Sequence, residues 1–156
     1  MVRWALLPEA SLLAELDGFH LVVPMRARFR DTDGMGHVNN AVFFSYCEEA
    51  RAAYFRAVAQ VTDYRRAAII LARASCDFRS AILFGEEFDV GVRVERLGRK
   101  SFEMIYRAHA RSDDRLLFEA ASVLVAYDYT ADRSTLVPAK FRRQVEAFEG
   151  RSFSAG

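Results

Sequence analysis

Cysteine and histidine are scarce: the 156 residues hold two of the first and three of the second. Cys47 and Cys76 both sit inside apolar patterns. Two such thiols make neither a disulfide framework nor a zinc site, and they read as reduced core residues. His20, His37 and His109 are widely scattered without ligand spacing, which argues against metal catalysis. No apolar stretch approaches the length of a membrane-spanning helix. The opening segment is apolar only from Trp4 to Pro8 and meets Glu9, Glu15 and Asp17 soon after. It has no secretory apolar region and no small-residue cleavage site, so a cytoplasmic location is expected. An excess of charge is missing too. A formal net charge of +1 gives no global field that would draw nucleic acid or an anionic membrane. No internal repeat, low-complexity segment or linker divides the chain, so one domain over residues 1–156 is expected, with 1–20 as an N-terminal appendage.

What is present is a folding composition, 52% hydrophobic and 28% charged, in a chain long enough to bury a core. Residues 9–17 have Leu12, Leu13 and Leu16 on one side of a candidate short helix. From Val23 the pattern alternates, with Val23, Met25, Ala27 and Phe29 on one face and Arg26, Arg28 and Arg30 on the other. Period two predicts a half-buried strand, and Pro24 near its start suggests a sheet edge. Val38 to Gln60 follows helical spacing with a narrow polar strip, so this helix must be covered on most sides. Asn39 or Asn40 is its candidate N-cap.

Four further strands are predicted at 69–78, 88–97, 101–111 and 116–129. Gly98 and the run Ser112-Asp113-Asp114 mark turns. In the third of them Phe102, Met104, Tyr106 and Ala108 oppose Glu103, Ile105, Arg107 and His109. The last is apolar on both faces and should be interior. A short terminal helix is expected over 138–149. The sum is an α+β layout, one antiparallel sheet wrapped around one long helix.

The segment with the most chemistry is Phe29 to Arg51. Asp31 and Asp33 end the strand-like run, a Gly-containing turn follows, and the helix begins at His37–Asn40. A carboxylate beside a helix N-terminus joins a nucleophile or base to free backbone N–H donors, which can hold a carbonyl oxygen as negative charge builds on it. That is equipment for acyl chemistry. Asp33 could attack a thioester carbonyl itself or deprotonate a water that does. Its alternative role is local, because Asp before Gly commonly makes a turn. Asp31, two residues earlier in an extended run, should point the same way and reads as structural or electrostatic support; were the two carboxylates close, one pKa would be raised.

The run Asp31-Thr-Asp33-Gly-Met-Gly36-His37-Val38-Asn39-Asn40, with Tyr46-x-Glu48-x-Ala50-Arg51 behind it, resembles the hotdog-fold acyl-CoA thioesterases of the 4-hydroxybenzoyl-CoA thioesterase-like branch. Asp77-Phe78-Arg79, Phe84-Gly85-Glu86, Gly98-Arg99-Lys100-Ser101-Phe102 and Val137-Pro138 fit the same pattern. The likeness runs from about Val23 to Arg142. Ser80-Ala81 departs from it, standing where the family often has a proline. The resemblance implies a five-stranded antiparallel sheet in the order 1-3-4-5-2. It also implies a homodimer or a homotetramer built as a dimer of dimers, with active sites at the subunit boundary, and no cofactor.

By that resemblance Asp33 is the catalytic carboxylate and the Asn40 backbone N–H polarises the thioester oxygen. His37 either assists by positioning substrate or water, or is held locally in its turn. Gly36, Val38, Arg99, Lys100 and Ser101 would lie against substrate, the basic turn facing the phosphates of coenzyme A; Arg142 and Arg143 form a similar basic pair. Glu48 is the rival carboxylate. It lies eight residues past Asn40, about 12 Å along the helix, and would have to serve a partner subunit's site; the simpler reading is an i,i+3 pair with Arg51. Tyr46 and Tyr54 read as helix core. The many Phe residues suggest an apolar or aromatic acyl group. A thioesterase acting on acyl carrier protein, a non-catalytic acyl-binding hotdog protein and a dehydratase using His37 with Asp33 remain the alternatives.

Overall fold

A computed structural model describes residues 16, 18–61, 63 and 67–154. The expected N-terminal helix at 9–17 falls almost wholly outside the described residues. The strands are β1 (Leu21–Arg26), β2 (Ile69–Phe78), β3 (Glu87–Leu97), β4 (Ser101–Ala110), β5 (Leu116–Asp128) and the two-residue β6 (Arg133–Ser134). The helices are α1 (Asn40–Ala59) and α2 (Ala139–Glu149). The sheet is antiparallel in the order β1-β3-β4-β5-β2, with β6 added on β5. Pro24 lies on the edge strand β1, where its missing N–H costs no ladder bond. Apart from β6 this is the expected hotdog topology.

Helix α1 is the filling. Phe43, Tyr46, Cys47, Ala50, Tyr54, Phe55 and Val58 are buried against Phe88, Val90, Val92, Met104, Phe118 and Leu124 of the sheet's inner face. Rings interlock edge to face: Phe43 with Phe118 at 5.3 Å and Tyr46 with Phe88 at 5.1 Å. At the far end α2 is tied in by one buried carboxylate. Glu149 accepts from the Tyr54 hydroxyl at 2.5 Å and from the Val94 N–H at 3.0 Å. The β1 ladder stops at Leu21 opposite Val92, so Val94 lies beyond the end of that strand and Glu149 satisfies its amide.

Two local expectations fail. The first strand ends at Arg26, and Phe29–Asp31 is a 3-10 turn. Alternation therefore breaks: Phe29 is 77% exposed and Asp31 is 4% exposed. His109, placed on the polar face of β4 by alternation, is buried. The register between β4 and β5 shifts at Ala108/His109, and its Nδ1 lies 3.0 Å from the Asp114 carbonyl in the turn.

Candidate active site

After the 3-10 turn the chain doubles back on itself. The Asp33 N–H donates to the His37 carbonyl at 3.0 Å, the Asn39 N–H donates to the Asp31 carbonyl at 2.9 Å, and Thr32 bridges Val38. Segments 31–33 and 37–39 thus form a short antiparallel ribbon. Its tip is Gly34-Met35-Gly36, and the Gly36 N–H donates to the Asp33 carbonyl. Gly36 has φ +86°, a left-handed conformation that other residues adopt at a cost. The ribbon docks on the approach to β3, where Val38 N–H donates to Ile82 and His37 bridges Leu83. It feeds directly into α1, whose N-cap is Asn39, its side chain accepting from the Ala41 N–H at 2.9 Å.

This arrangement assembles Asp33, Gly36, His37, Val38 and Asn40 in one ribbon-and-helix-start unit. One Asp33 oxygen, Oδ1, accepts from the Met35 N–H at 2.8 Å, which is the local turn bond that Asp before Gly favours. The bond leaves Oδ2 available. At the helix start the Ala41 amide is capped and the Val42 amide reaches the Asn39 carbonyl. Among the described residues the Asn40 N–H has no hydrogen-bond acceptor, as a first-turn amide needs if it is to serve a ligand. The rim is apolar and open: Met35, Leu83, Phe84 and Phe29 are all more than half exposed, and Phe29 meets Phe84 edge-on at 5.9 Å.

Asp31 has a different task from the one its spacing suggested. Its Oδ2 accepts from the Arg28 N–H at 2.9 Å, from Arg28 Nε at 3.1 Å and from the Tyr46 hydroxyl at 2.9 Å. Burial by itself would raise its pKa, but the Arg28 and Tyr46 donors outweigh burial and hold it below the ordinary value of 3.8. A raised carboxylate pKa is therefore not what this residue offers. It is a clamp between the end of the ribbon and α1. Tyr46 in turn is pushed up by burial and by its bond to Asp31. Sequence reasoning read Asp31 as support and Tyr46 as helix core but did not join them, because fifteen residues of chain separate them.

The remaining candidates lie elsewhere in the subunit. Glu48 is exposed and 4.0 Å from Arg51, the i,i+3 pair of the simpler reading. Arg99 and Lys100 form the β3–β4 turn and Ser101 opens β4, beside the C-terminal half of α1. There Phe102 packs on Phe55 at 6.1 Å, and Phe55 is fifteen residues, roughly 22 Å, beyond Asn40. Arg142 is already engaged, donating to the carbonyls of Leu97 at 3.3 Å and Gly98 at 2.6 Å. Among the described residues no group of three or more His, Cys, Asp or Glu side chains converges to hold a metal ion, and no helix is long and apolar enough to cross a membrane.

An antiparallel sheet in this strand order around one central helix, with a carboxylate turn at the helix start, is the hotdog fold in its thioesterase form. Residues 27–145 match the family model of the thioesterase-like superfamily, and the chain belongs to that family. It is similar to a thioesterase from Thermus thermophilus, solved with coenzyme A and zinc, at 37% identity and a TM-score of 0.79 over 88% of this chain and 99% of that one. A 1,4-dihydroxy-2-naphthoyl-CoA thioesterase from Synechocystis shares the fold at 19% identity and a TM-score of 0.73, over 80% of this chain and 93% of that one. Among curated proteins, YsmA of Bacillus subtilis is 30% identical over 79 residues, 51% of this chain and 54% of that protein. The chain thus spans about half the length of that relative.

Proposed function

We propose that the protein hydrolyses an acyl-CoA thioester to a free acid and coenzyme A. The observation that carries this reading is the pairing of an Asp33 carboxylate with a spare oxygen and an Asn40 amide without an acceptor, on one rigid ribbon at the start of a buried helix. The thioester oxygen accepts from the Asn40 N–H, which faces the charge that develops on it. Asp33 then attacks the carbonyl carbon and expels the coenzyme A thiolate, leaving an anhydride that water opens; in the alternative it takes a proton from a water that attacks. His37, paired across the ribbon from Asp33, positions that water or the substrate. Gly36, with no side chain, lets the acyl group approach the turn closely, while the buried Val38 backs the turn from the core side. The match to a thioesterase solved with coenzyme A supports the choice of thioester.

The assembly proposed is a homodimer, paired further into a homotetramer. β2 is an edge strand of ten residues, and most of it is exposed, which is the kind of edge a second copy covers. Only across such a boundary do Glu48 and the basic turn Arg99-Lys100-Ser101 come near an Asp33, where the turn would hold coenzyme A phosphates. The protein is read as cytoplasmic and its site as metal-independent.

The test is thiol release by the wild-type protein from short, long and aromatic acyl-CoAs, beside the same acyl groups on acyl carrier protein. Release from the coenzyme A esters supports the reading. Release from carrier-protein esters alone moves the substrate to the carrier, and no release from either sinks the enzymatic reading.

A further inference from the structure

The loop 79–86 between β2 and β3 carries the surface on which the Asp31–Asn39 ribbon rests. The Val38 N–H donates to the Ile82 carbonyl at 2.8 Å, and His37 bridges Leu83. Both ends of the loop are tied by backbone. The Arg79 and Ser80 N–H groups donate to the Leu117 carbonyl at 2.9 and 3.1 Å. At the other end the Gly85 N–H donates to the Ala27 carbonyl, and the Ala27 N–H to the Glu86 carbonyl, both at 2.9 Å. Between those ties two side chains grip residues 81–83. Glu86 Oε2 accepts from the Leu83 N–H at 2.9 Å, and its Oε1 accepts from Arg115 Nη2. Arg115 Nη1 donates to the Ala81 carbonyl at 2.9 Å and Arg115 Nε to Asp113 at 3.3 Å.

The Ile82 carbonyl and the Leu83 N–H belong to one planar trans peptide unit, so they point in opposite directions. Glu86 therefore holds one end of the peptide whose other end holds Val38. The relay runs from Arg115 to Glu86, across that peptide, to the Val38 amide, two residues before the Asn40 N–H. Bonds joined in such a chain polarise one another. The buried side chain of Ile82 keeps the loop on the core, and Asp31 clamps the opposite edge of the ribbon. What the ion pair adds is the direction of one carbonyl. The Glu86 side chain is 12% exposed and that of Arg115 34%, so a charge-assisted pair holds its geometry there better than at an open surface. The acyl chemistry at Asp33 and Asn40 makes no direct use of either residue.

We infer that Glu86 and Arg115 are positioning residues of the site: through the Ile82–Leu83 peptide they set where the ribbon stands, and with it the aim of the Asn40 N–H at the thioester oxygen. The inference rests on the thioesterase reading above. An oxyanion donor works only within a narrow distance of the developing charge, and a misplacement of about 1 Å costs up to about 10²-fold in rate. Arg115 acts as a fork that reaches Ala81, Glu86 and Asp113 at once. Arg115→Lys supplies a single point of charge and cannot span all three. Glu86→Gln leaves one acceptor oxygen for two donors that now have one each.

The experiment measures kcat and KM on the best acyl-CoA of the wild type for Glu86→Gln, Arg115→Lys and the double variant. Tyr54→Phe is the control for stability alone, because it gives up the bond to Glu149 fourteen residues, roughly 21 Å, beyond Asn40. Each single variant should lower kcat by about tenfold at nearly constant KM. The double variant should fall no further than the worse single one, since both act through one peptide. Tyr54→Phe should lower Tm and leave kcat unchanged. Independently of catalysis, exchange of the Val38 amide, read by NMR, should quicken in Glu86→Gln by about tenfold or more beyond any change in Tyr54→Phe. If Glu86→Gln does not fold, Arg115→Lys carries both measurements. Single variants with kcat within about twofold of wild type, losses that multiply in the double variant, or an unchanged Val38 amide overturn the inference and leave the thioesterase reading intact. No release by the wild type from any acyl-CoA sinks the parent reading and the positioning role with it.

Discussion

Replacing Tyr46 by Phe removes one oxygen and tests how the site is held. The Tyr46 ring is 2% exposed and packs on Phe88, and Phe keeps that packing. The only bond lost is the 2.9 Å donation from the hydroxyl to Asp31. A hydrogen bond to a buried charged group is worth about 1.5–3 kcal/mol, and Asp31 keeps its Arg28 donors, so a loss of about 2 kcal/mol is expected. For a chain of this size that lowers Tm by about 4–8 °C, measured at fixed protein concentration because association shifts the apparent value. The sign with pH follows from the Asp31 carboxyl. Its folded pKa is below 3.8, so its bonds stabilise the fold fully above the unfolded value and lose that effect as pH falls through the folded one. The gap between wild type and Tyr46→Phe should therefore be widest near neutral pH and narrow in acid. Urea titrations at about pH 7 and about pH 3 read both quantities. A Tyr46→Phe protein within about 0.5 kcal/mol of wild type at neutral pH, or a gap that widens in acid, refutes the clamp.

Three other outcomes follow from the same structure. Asn39→Ala deletes the cap on the Ala41 amide and should cost about 1 kcal/mol in chemical denaturation, with Asn39→Asp restoring most of it. Burial pushes the Cys47 thiol up to about 12 and the Cys76 thiol up to about 11, so alkylation by iodoacetamide should be slow at neutral pH and quicken only in strong base; fast labelling of the native protein at neutral pH would contradict this. Arg99→Ala with Lys100→Ala should raise KM for acyl-CoA and leave KM for an acyl-pantetheine, which lacks the nucleotide phosphates, unchanged. Equal effects on both would remove the turn from coenzyme A binding.

The fold was legible because its signals were periodic. Alternation in residues 88–97 and helical spacing from Val42 to Val58 each reflect one buried face, and the strands and helix appear where those faces predict. The errors arose where tertiary contacts broke a period. Phe29 and Asp31, which alternation would put on one face, part company because the chain leaves the sheet after Arg26, Phe29 staying exposed and Asp31 becoming buried, and His109 turns inward at a register shift. The ribbon from Asp31 to Asn40 was readable as a turn before a capped helix, since Asp, Gly and Asn each carry a local geometry. What spacing could not show was long-range pairing. Tyr46 on Asp31, Glu149 on Val94 and Arg51 on Tyr106 join residues from 15 to 55 positions apart, and nothing in a strand or helix period encodes that.

The measurement that bears most directly on the proposed chemistry is the rate of thiol release by Asp33→Asn beside Glu48→Gln, on the best acyl-CoA of the wild type. Asn retains the oxygen that accepts from the Met35 N–H and so preserves the turn while removing the nucleophile or base. The account predicts a fall in kcat of about 10²–10⁴-fold for Asp33→Asn, with unchanged circular dichroism, and a much smaller change for Glu48→Gln. An Asp33→Asn enzyme as fast as the wild type, with Glu48→Gln inactive, would contradict it and move the chemistry to the helix of a partner subunit.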